Sequence, residues 1–523
     1  MFPRFGMNLC HRIRFCLFAI VAILSGSTGL AEVAVQYHCA GGSQLAADTH
    51  LATLHKVFAL PATANLENIA LARFSNMLTN RLQLTNNPSS ASLIKPLLSD
   101  VVERESLGSF GDAGASGPGF ILAVHLEAQR TQLWQDNFAK VLGRAGEKFT
   151  SQEISGRRWN TTRANSLWII PAQDWLLVGC GDDFSSLQTQ YLSQIKAQGR
   201  PMPALQRNWL EADIASTRLG GWFRLLQPAH ISLTVTTNED DLAISARVLE
   251  AEAIPWKAAP WQIPKNLMRG QIISFTAGQD VAALLNVDQS FAHLASDPLT
   301  NQFFFWALDQ MPFLDYLAWP VANASNALQR LATEAPAALN PELNRFNGTE
   351  LVWHTEAGKL AWQNMRLFVP TLEAVQTNDG QFLFASAFPK PSNGNHAPDS
   401  LLAQIEGRTN LVYYDWELTG RRLGEWLILK RMLFKHLIGQ NTDGKNAMFV
   451  GDQWLGGLTS LAGNTTTEIT RVAPIELCLE RRSPLGFSSV ELVLLANWFC
   501  GVNSDTAHSS PPAGNTVPVP ARP

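Results

Sequence analysis

Cysteine is scarce. The 523 residues hold six, and only Cys39, Cys180, Cys478 and Cys500 lie beyond position 31. So few exclude a fold held by a disulfide framework. They leave room for one bridge, with Cys478 and Cys500 the closest in sequence, or for buried thiols. Charge is scarce as well, at 16% of residues, so neither sign can cover the surface densely. Three of the 40 basic residues precede position 32, and the remainder carries 37 bases against 44 acids. That balance excludes general attraction to nucleic acid, which needs a clustered basic face. Beyond the N-terminal segment no uninterrupted apolar run approaches the roughly 18 residues of a membrane-spanning helix. Complete catalytic signatures are absent too. There is no Gly-x-Ser-x-Gly elbow beyond the first 31 residues and no Gly-Lys-Ser/Thr phosphate loop, and 111–119 (GDAGASGPG) reads as a plain connection.

The chain opens on a secretory signal. Arg4, Arg12 and Arg14 form a basic start without acids, and Cys16–Leu24 is a short apolar run. Gly29-Leu30-Ala31 then places small residues at the first and third positions before Glu32. This layout predicts cleavage between Ala31 and Glu32. Export to a periplasmic or extracellular compartment follows, with an uncleaved anchor as the alternative. The composition, 46% hydrophobic, describes a globular protein with a real core.

Periodicity divides the rest. Residues 46–58 and 64–83 read as helices. In the second, Leu66, Ile69, Ala70, Phe74, Met77, Leu78 and Leu82 recur at three- and four-residue steps. Strands and hairpins follow at Phe120–Leu126, Ser166–Gly179 and 231–250, where Ile231, Leu233 and Val235 alternate with polar residues. Helices are expected at about 129–143 and after Asp183. Three prolines in 253–267 mark an extended connection. Beyond it come a strand at Gln271–Ala277, a helix at 280–286, helices across 314–333, a hairpin at 350–370 and a strand at Gln381–Phe388. A strand at Thr409–Leu418 then leads through Thr419, a plausible N-cap, into an amphipathic helix at 420–437. The expected class is α+β, with two similar units of antiparallel sheet flanked by helices. The expected division is a signal peptide at 1–31, an N-terminal domain at 32–254, a Pro-rich linker at 255–267, a C-terminal domain at 268–502 and a disordered tail at 503–523.

Three segments, GGSQLAADTHLATLHKVFALP (41–61), DWLLVGCGDDFSSLQTQYLSQI (174–195) and NLVYYDWELTGRRLGEW (410–426), resemble a group of uncharacterised exported bacterial proteins of unknown function. The resemblance implies an exported, two-part α+β protein. It implies no activity and no site residues.

One acidic stretch stands out. Alternation along Tyr413-Tyr414-Asp415-Trp416-Glu417 puts Asp415 and Glu417 on one face, about 7 Å apart by strand geometry. Paired carboxylates at such spacing can serve glycoside cleavage as acid and nucleophile or base. The simpler reading is a strand with ordinary acids. Gly179-Cys180-Gly181 follows a strand and opens a helix as a dinucleotide fingerprint does, but Phe184 replaces the third glycine. His38, Cys39, His50 and His55 cluster in sequence, yet His50 and His55 are five apart, the wrong spacing for a helical ligand pair. No metal and no cofactor is therefore expected. Helix 420–437 carries Arg421, Arg422, Lys430, Arg431, Lys435 and His436 opposite an apolar stripe. Membrane contact would run through this helix or through an uncleaved signal; packing on the protein's own sheet is the commoner fate of such a helix. The 16 tryptophans mostly sit beside apolar positions and read as core. The sequence points to a non-enzymatic binding or scaffolding protein of the cell envelope with an unknown ligand or protein partner. An exported glycosidase-like hydrolase using Asp415 and Glu417 is the alternative, and a membrane-associated protein is the third reading.

Overall fold

The computed structural model describes residues 32–81, 89–112, 118–144, 148–151, 157–160, 166–180, 185–215, 228–253, 259–279, 302–309, 314–344, 349–364, 369–388, 395–437 and 442–501. The signal segment up to Ala31, the helix expected at 280–286 and the tail at 503–523 lie outside them. Helix and strand are thoroughly mixed. The first half begins with β1 (Glu32–Cys39), followed by α1 (Gly42–Ala47), α2 (Ala52–Phe58), α3 (Pro61–Arg81) and α4 (Ser89–Glu103). β2 (Ser106–Asp112) and β3 (Pro118–His125) precede α5 (Ala128–Arg144). Four strands follow, β4 (Lys148–Ser151), β5 (Arg157–Asn160), β6 (Ser166–Ala172) and β7 (Trp175–Cys180). After α6 (Ser185–Gln198) come β8 (Asn208–Ile214), β9 (Pro228–Asn238) and β10 (Asp241–Glu250).

The second half continues with β11 (Ile272–Gln279), β12 (Gln302–Leu308), β13 (Asp315–Pro320) and α7 (Ala324–Leu343). β14 (Glu350–His354), β15 (Lys359–Gln363), β16 (Thr371–Thr377) and β17 (Gly380–Ser386) lead to α8 (Asp399–Leu402) and β18 (Leu411–Leu418). α9 (Thr419–Leu437), α10 (Thr442–Leu458), β19 (Asn464–Ala473), β20 (Glu476–Ser483) and α11 (Ser489–Cys500) complete it.

All pairings are antiparallel and join the strands into one continuous sheet. The first half runs β4-β5-β6-β7-β3-β2-β1-β8-β9-β10 in space. The second runs β14-β15-β16-β17-β13-β12-β11-β18-β19-β20. The halves join where β10 lies against β20, from Leu242 opposite Ser483 to Leu249 opposite Glu476.

Helices cover the sheet in separate patches. On β3, β6 and β7, α4 and α5 enclose Leu97, Val101, Trp134, Leu142, Ile169 and Leu176. Those two helices are tied by Asp100, which accepts from Arg130 at 2.7 Å and from Trp134 Nε1 at 2.7 Å. On the other face Tyr191 and Ile195 of α6 pack on Leu107, Trp168 and Leu177. In the second half α7 covers Leu351, Leu360, Leu372 and Leu383, and a dense aromatic core, including Phe275, Trp306, Tyr316 and Phe384, fills the opposite face. A helical layer built from both halves joins Val57 and Leu66 to Leu423, Leu427, Leu455, Leu458 and Leu492.

Two expectations need correction. Residues 315–320 are a strand, not a helix: Tyr316, Ala318 and Pro320 alternate inward. The helix behind it runs on to Leu343 despite Pro336 and Pro341, because Ala335, Leu339 and Leu343 pack against the sheet and offset the hydrogen bonds that proline removes. Thr419 does not cap α9; its hydroxyl pairs with Thr465 Oγ1 at 2.7 Å.

The β9–β10 turn has a structural task. Glu239 takes φ 58 there, and Asp240 reaches across to α2, accepting from Thr53 N at 3.1 Å and Thr53 Oγ1 at 2.8 Å. Asp240 thus caps a helix distant in sequence, and these bonds outweigh desolvation to hold its carboxyl below the usual range. Asp240→Ala is expected to destabilise by about 1 kcal/mol, the ordinary worth of a cap. Urea unfolding of the two proteins measures it.

Candidate functional site

The acidic strand β18 lies inside the sheet, between β11 and β19. A bulge between Leu411 and Tyr413 sets its faces. Tyr414 and Trp416 join the aromatic core; Tyr413, Asp415 and Glu417 take the opposite side. The two carboxylates singled out by alternation therefore do share a face. Across the sheet Asp415 stands opposite Thr276 on β11 and Thr467 on β19, and Thr467 stands opposite Arg481 on β20. The result is one polar row over four strands.

Each group in the row has a partner. Asp415 Oδ1 accepts from Thr276 Oγ1 at 2.6 Å. Glu417, which is buried, accepts from the backbone N–H of Ser489 at 2.6 Å and from its hydroxyl at 2.8 Å. Glu417 thereby satisfies the first turn of α11, whose N-terminus also carries a capping box between Ser488 and Glu491. Arg481 grips both oxygens of Glu491 at 2.7 and 2.9 Å and donates to Thr467 at 2.9 Å. Beside the row, buried Arg422 of α9 bonds Asp315 at 2.9 Å and Glu425 at 2.6 Å. Its guanidinium lies 5.5 Å from the centre of the Trp426 ring.

Burial governs the electrostatics. It pushes Asp415 up to about 7, with the neighbouring charge of Glu417 adding to the rise and the Thr276 bond opposing it. Glu417 is raised by the same loss of water, against the two Ser489 bonds. Burial also pushes Glu425 up to about 7, although Arg422 pulls the other way. The Tyr413 phenol is driven well above its ordinary range. Asp415 can thus exchange a proton near neutrality. Glu417 has the environment of a structural anchor: both oxygens already hold a helix in place.

The other candidates do not assemble. His38 is buried on Glu105 at 2.8 Å, and Glu105 also receives Arg200. These contacts outweigh desolvation and hold the Glu105 carboxyl below its usual range. His55 reaches Leu45 O at 3.4 Å, and the backbone N of His50 bonds Asp48. Among the described residues no three His, Cys, Asp or Glu side chains are placed to hold a metal ion. The proposed bridge fails as well, for Cys478 and Cys500 are both free thiols. Cys478 shares a strand face with Glu480, 3.6 Å away, whereas α11, which ends in Cys500, packs over the face bearing Arg481. Gly181 and Phe184 of the glycine-rich turn lie outside the described residues.

Sequence reading missed Arg481, Glu491 and Ser489. A signal for two of them was present: Ser488-Ser489-Val490-Glu491 before an apolar run is a capping-box pattern. Nothing local tied that helix to Glu417.

Among the described residues no helix is long and apolar enough to cross a membrane. No family model matches the chain, and no curated protein is significantly similar to it. Among solved structures, one titled "Structure of crystal form I of TP0453" aligns over 45% of this chain and 79% of its own, with 12% identity and a TM-score of 0.22. A likeness that low supports neither fold nor function.

Proposed function

We propose that this is an exported, non-enzymatic binding or scaffolding protein of the cell envelope, built from two similar α+β units. The observation that carries the non-enzymatic reading is the engagement of Glu417. A nucleophile or base needs free lone pairs aimed at substrate, and here both carboxylate oxygens hold Ser489 at the start of α11. Export is supported by the basic, apolar and small-residue zones before Glu32.

The two-unit reading draws on pairing. Adding ten to each strand number turns every pairing of the first half into one of the second: β1–β2 becomes β11–β12, β3–β7 becomes β13–β17, β1–β8 becomes β11–β18. The bulge between Val33 and Val35 recurs between Ile272 and Ser274, and that between Asn208 and Leu210 recurs between Leu411 and Tyr413. α5 and α7 occupy matching places, before β4 and β14. Two such units meeting through β10 and β20 resemble the halves of a twofold dimer fused in one chain.

The hydrolase reading keeps one support, the proton of Asp415 near neutrality. A membrane-bound helix has less, because Arg422 and Lys430 of its basic set are buried in ion pairs with Asp315, Glu425 and Asp452. One preparation tests these readings. Secreted protein should begin at Glu32, remain in the soluble fraction at low salt, and leave envelope glycans and peptides unchanged. The Asp415→Asn, Glu417→Gln double variant should unfold at a lower temperature. Enzyme-like turnover that the double variant abolishes, without a change in melting temperature, would overturn the proposal in favour of the hydrolase.

A further inference from the structure

We infer that the carboxylate–arginine cluster beneath α11 is a pH-sensitive clamp, which holds this helix on the sheet in acidic conditions and loosens it as pH rises through neutrality.

The geometry supplies an excess of acid in one place. Facing each other are Tyr413, Asp415 and Glu417 from β18, Arg481 from β20, Glu491 from α11, Arg422 and Glu425 from α9, and Asp315 from β13. Asp309, just past β12, adds its charge to Glu425. The adjoining β11 and β19 offer hydroxyls, those of Ser274 and Thr276 and of Thr465 and Thr467. Among the described residues six carboxyl groups therefore meet two guanidiniums. Arg481 is engaged by Glu491, and Arg422 by Asp315 and Glu425. Asp415 and Glu417 are left with hydroxyl and amide donors. If both ionise, two like charges about 7 Å apart share a site largely shielded from water. A shared proton relieves that repulsion; opening the site to water relieves it too.

The opening has a defined place. Glu417 and Arg481, the two anchors on the sheet side, both hold the first turn of α11. Beyond that turn the helix is held by Leu492 and Ala496 in the helical layer and by Trp498 against Phe74 of α3, with ring centres 5.0 Å apart. The sign follows from proton binding. The closed form keeps protons on Asp415 and Glu425 at pH values where exposed carboxyls, with pKa about 4, have lost theirs. Closure is therefore favoured most below about pH 4 and progressively penalised as pH rises through about 7, with the penalty levelling off above that as both groups become ionised. This goes beyond the scaffold reading and does not depend on it.

Hydrogen exchange by mass spectrometry on the full chain tests the clamp, with protection factors corrected for the intrinsic pH dependence of exchange. Protection over 489–500 should fall about tenfold between pH 5.5 and 8.5, while β2 and β3 stay constant. Asp415→Asn, which removes one of the two carboxyls raised to about 7 at nearly constant shape, should cut the pH response of α11 protection to half or less over the same range. If that variant does not fold, Glu425→Gln removes the other raised carboxyl and should at least halve the pH response. Protection over α11 that is flat in the parent, or equally pH-dependent in parent and variant, overturns the inference.

Discussion

Arg481→Met is expected to destabilise the protein by about 3–5 kcal/mol, the usual cost of removing one partner of a buried ion pair. Methionine retains most of the aliphatic stem, so the loss reads out charge and hydrogen bonding rather than volume. Without the guanidinium Glu491 loses both of its charged bonds, Thr467 loses a donor, and Asp415 loses the positive charge that favours its ionised form. Adding Glu491→Gln should recover part of the loss, because the stranded charge is then gone. Urea unfolding with an unchanged slope measures both. A cost below about 1 kcal/mol would mean that water already enters the cluster, as it does around surface pairs.

Gly420→Ala is expected to be nearly as damaging, for a steric reason. A Cβ built on Gly420 would lie 2.0 Å from the carbonyl oxygen of Thr459. Backbone cannot rotate aside as a side chain can, so the first turn of α9 must part from the turn after α10. The expected loss is about 3 kcal/mol or more, in the range of severe overpacking. Gly424, one turn along the same helix, is the control: its Cβ would meet nothing within 4 Å. There alanine should stabilise by about 0.5–1 kcal/mol through helix propensity alone. Thermal unfolding of the pair separates close approach from propensity, since both changes add one methyl to one helix.

Local pattern carried much of the fold. The alternation of Ile231, Leu233 and Val235 marked β9, and the 3.6-residue stripe from Leu66 to Leu78 marked α3. Those periods arise from burial on one side of an element. It failed where two influences compete. Leu317 and Trp319 lie among equally apolar inward neighbours, so a strand read as helix. Pro96 sits inside α4, and such a residue argues for a break until tertiary packing overrides it. Strand order was beyond reach, because β10 meets β20 across more than 200 residues of chain. The site was half legible. Strand geometry placed Asp415 and Glu417 together; the helix that occupies Glu417 comes about 70 residues later, and only the folded sheet brings it there.

The join between the halves also bears on how the chain must fold. β1–β10 can pair completely among themselves once residue 250 has been made, but β10 then offers a bare edge until β20 arrives. Antiparallel edges with alternating apolar residues, here Leu242, Ile244, Ala246 and Val248, recruit any unpaired strand at hand. Contacts this distant in sequence form slowly. A chain threaded through a membrane from its N-terminus would spend that interval on the far side with its first half finished and its seam open. Crowding of such half-made molecules favours strand exchange between chains, so yield should fall with expression rate before it falls with any loss of native stability.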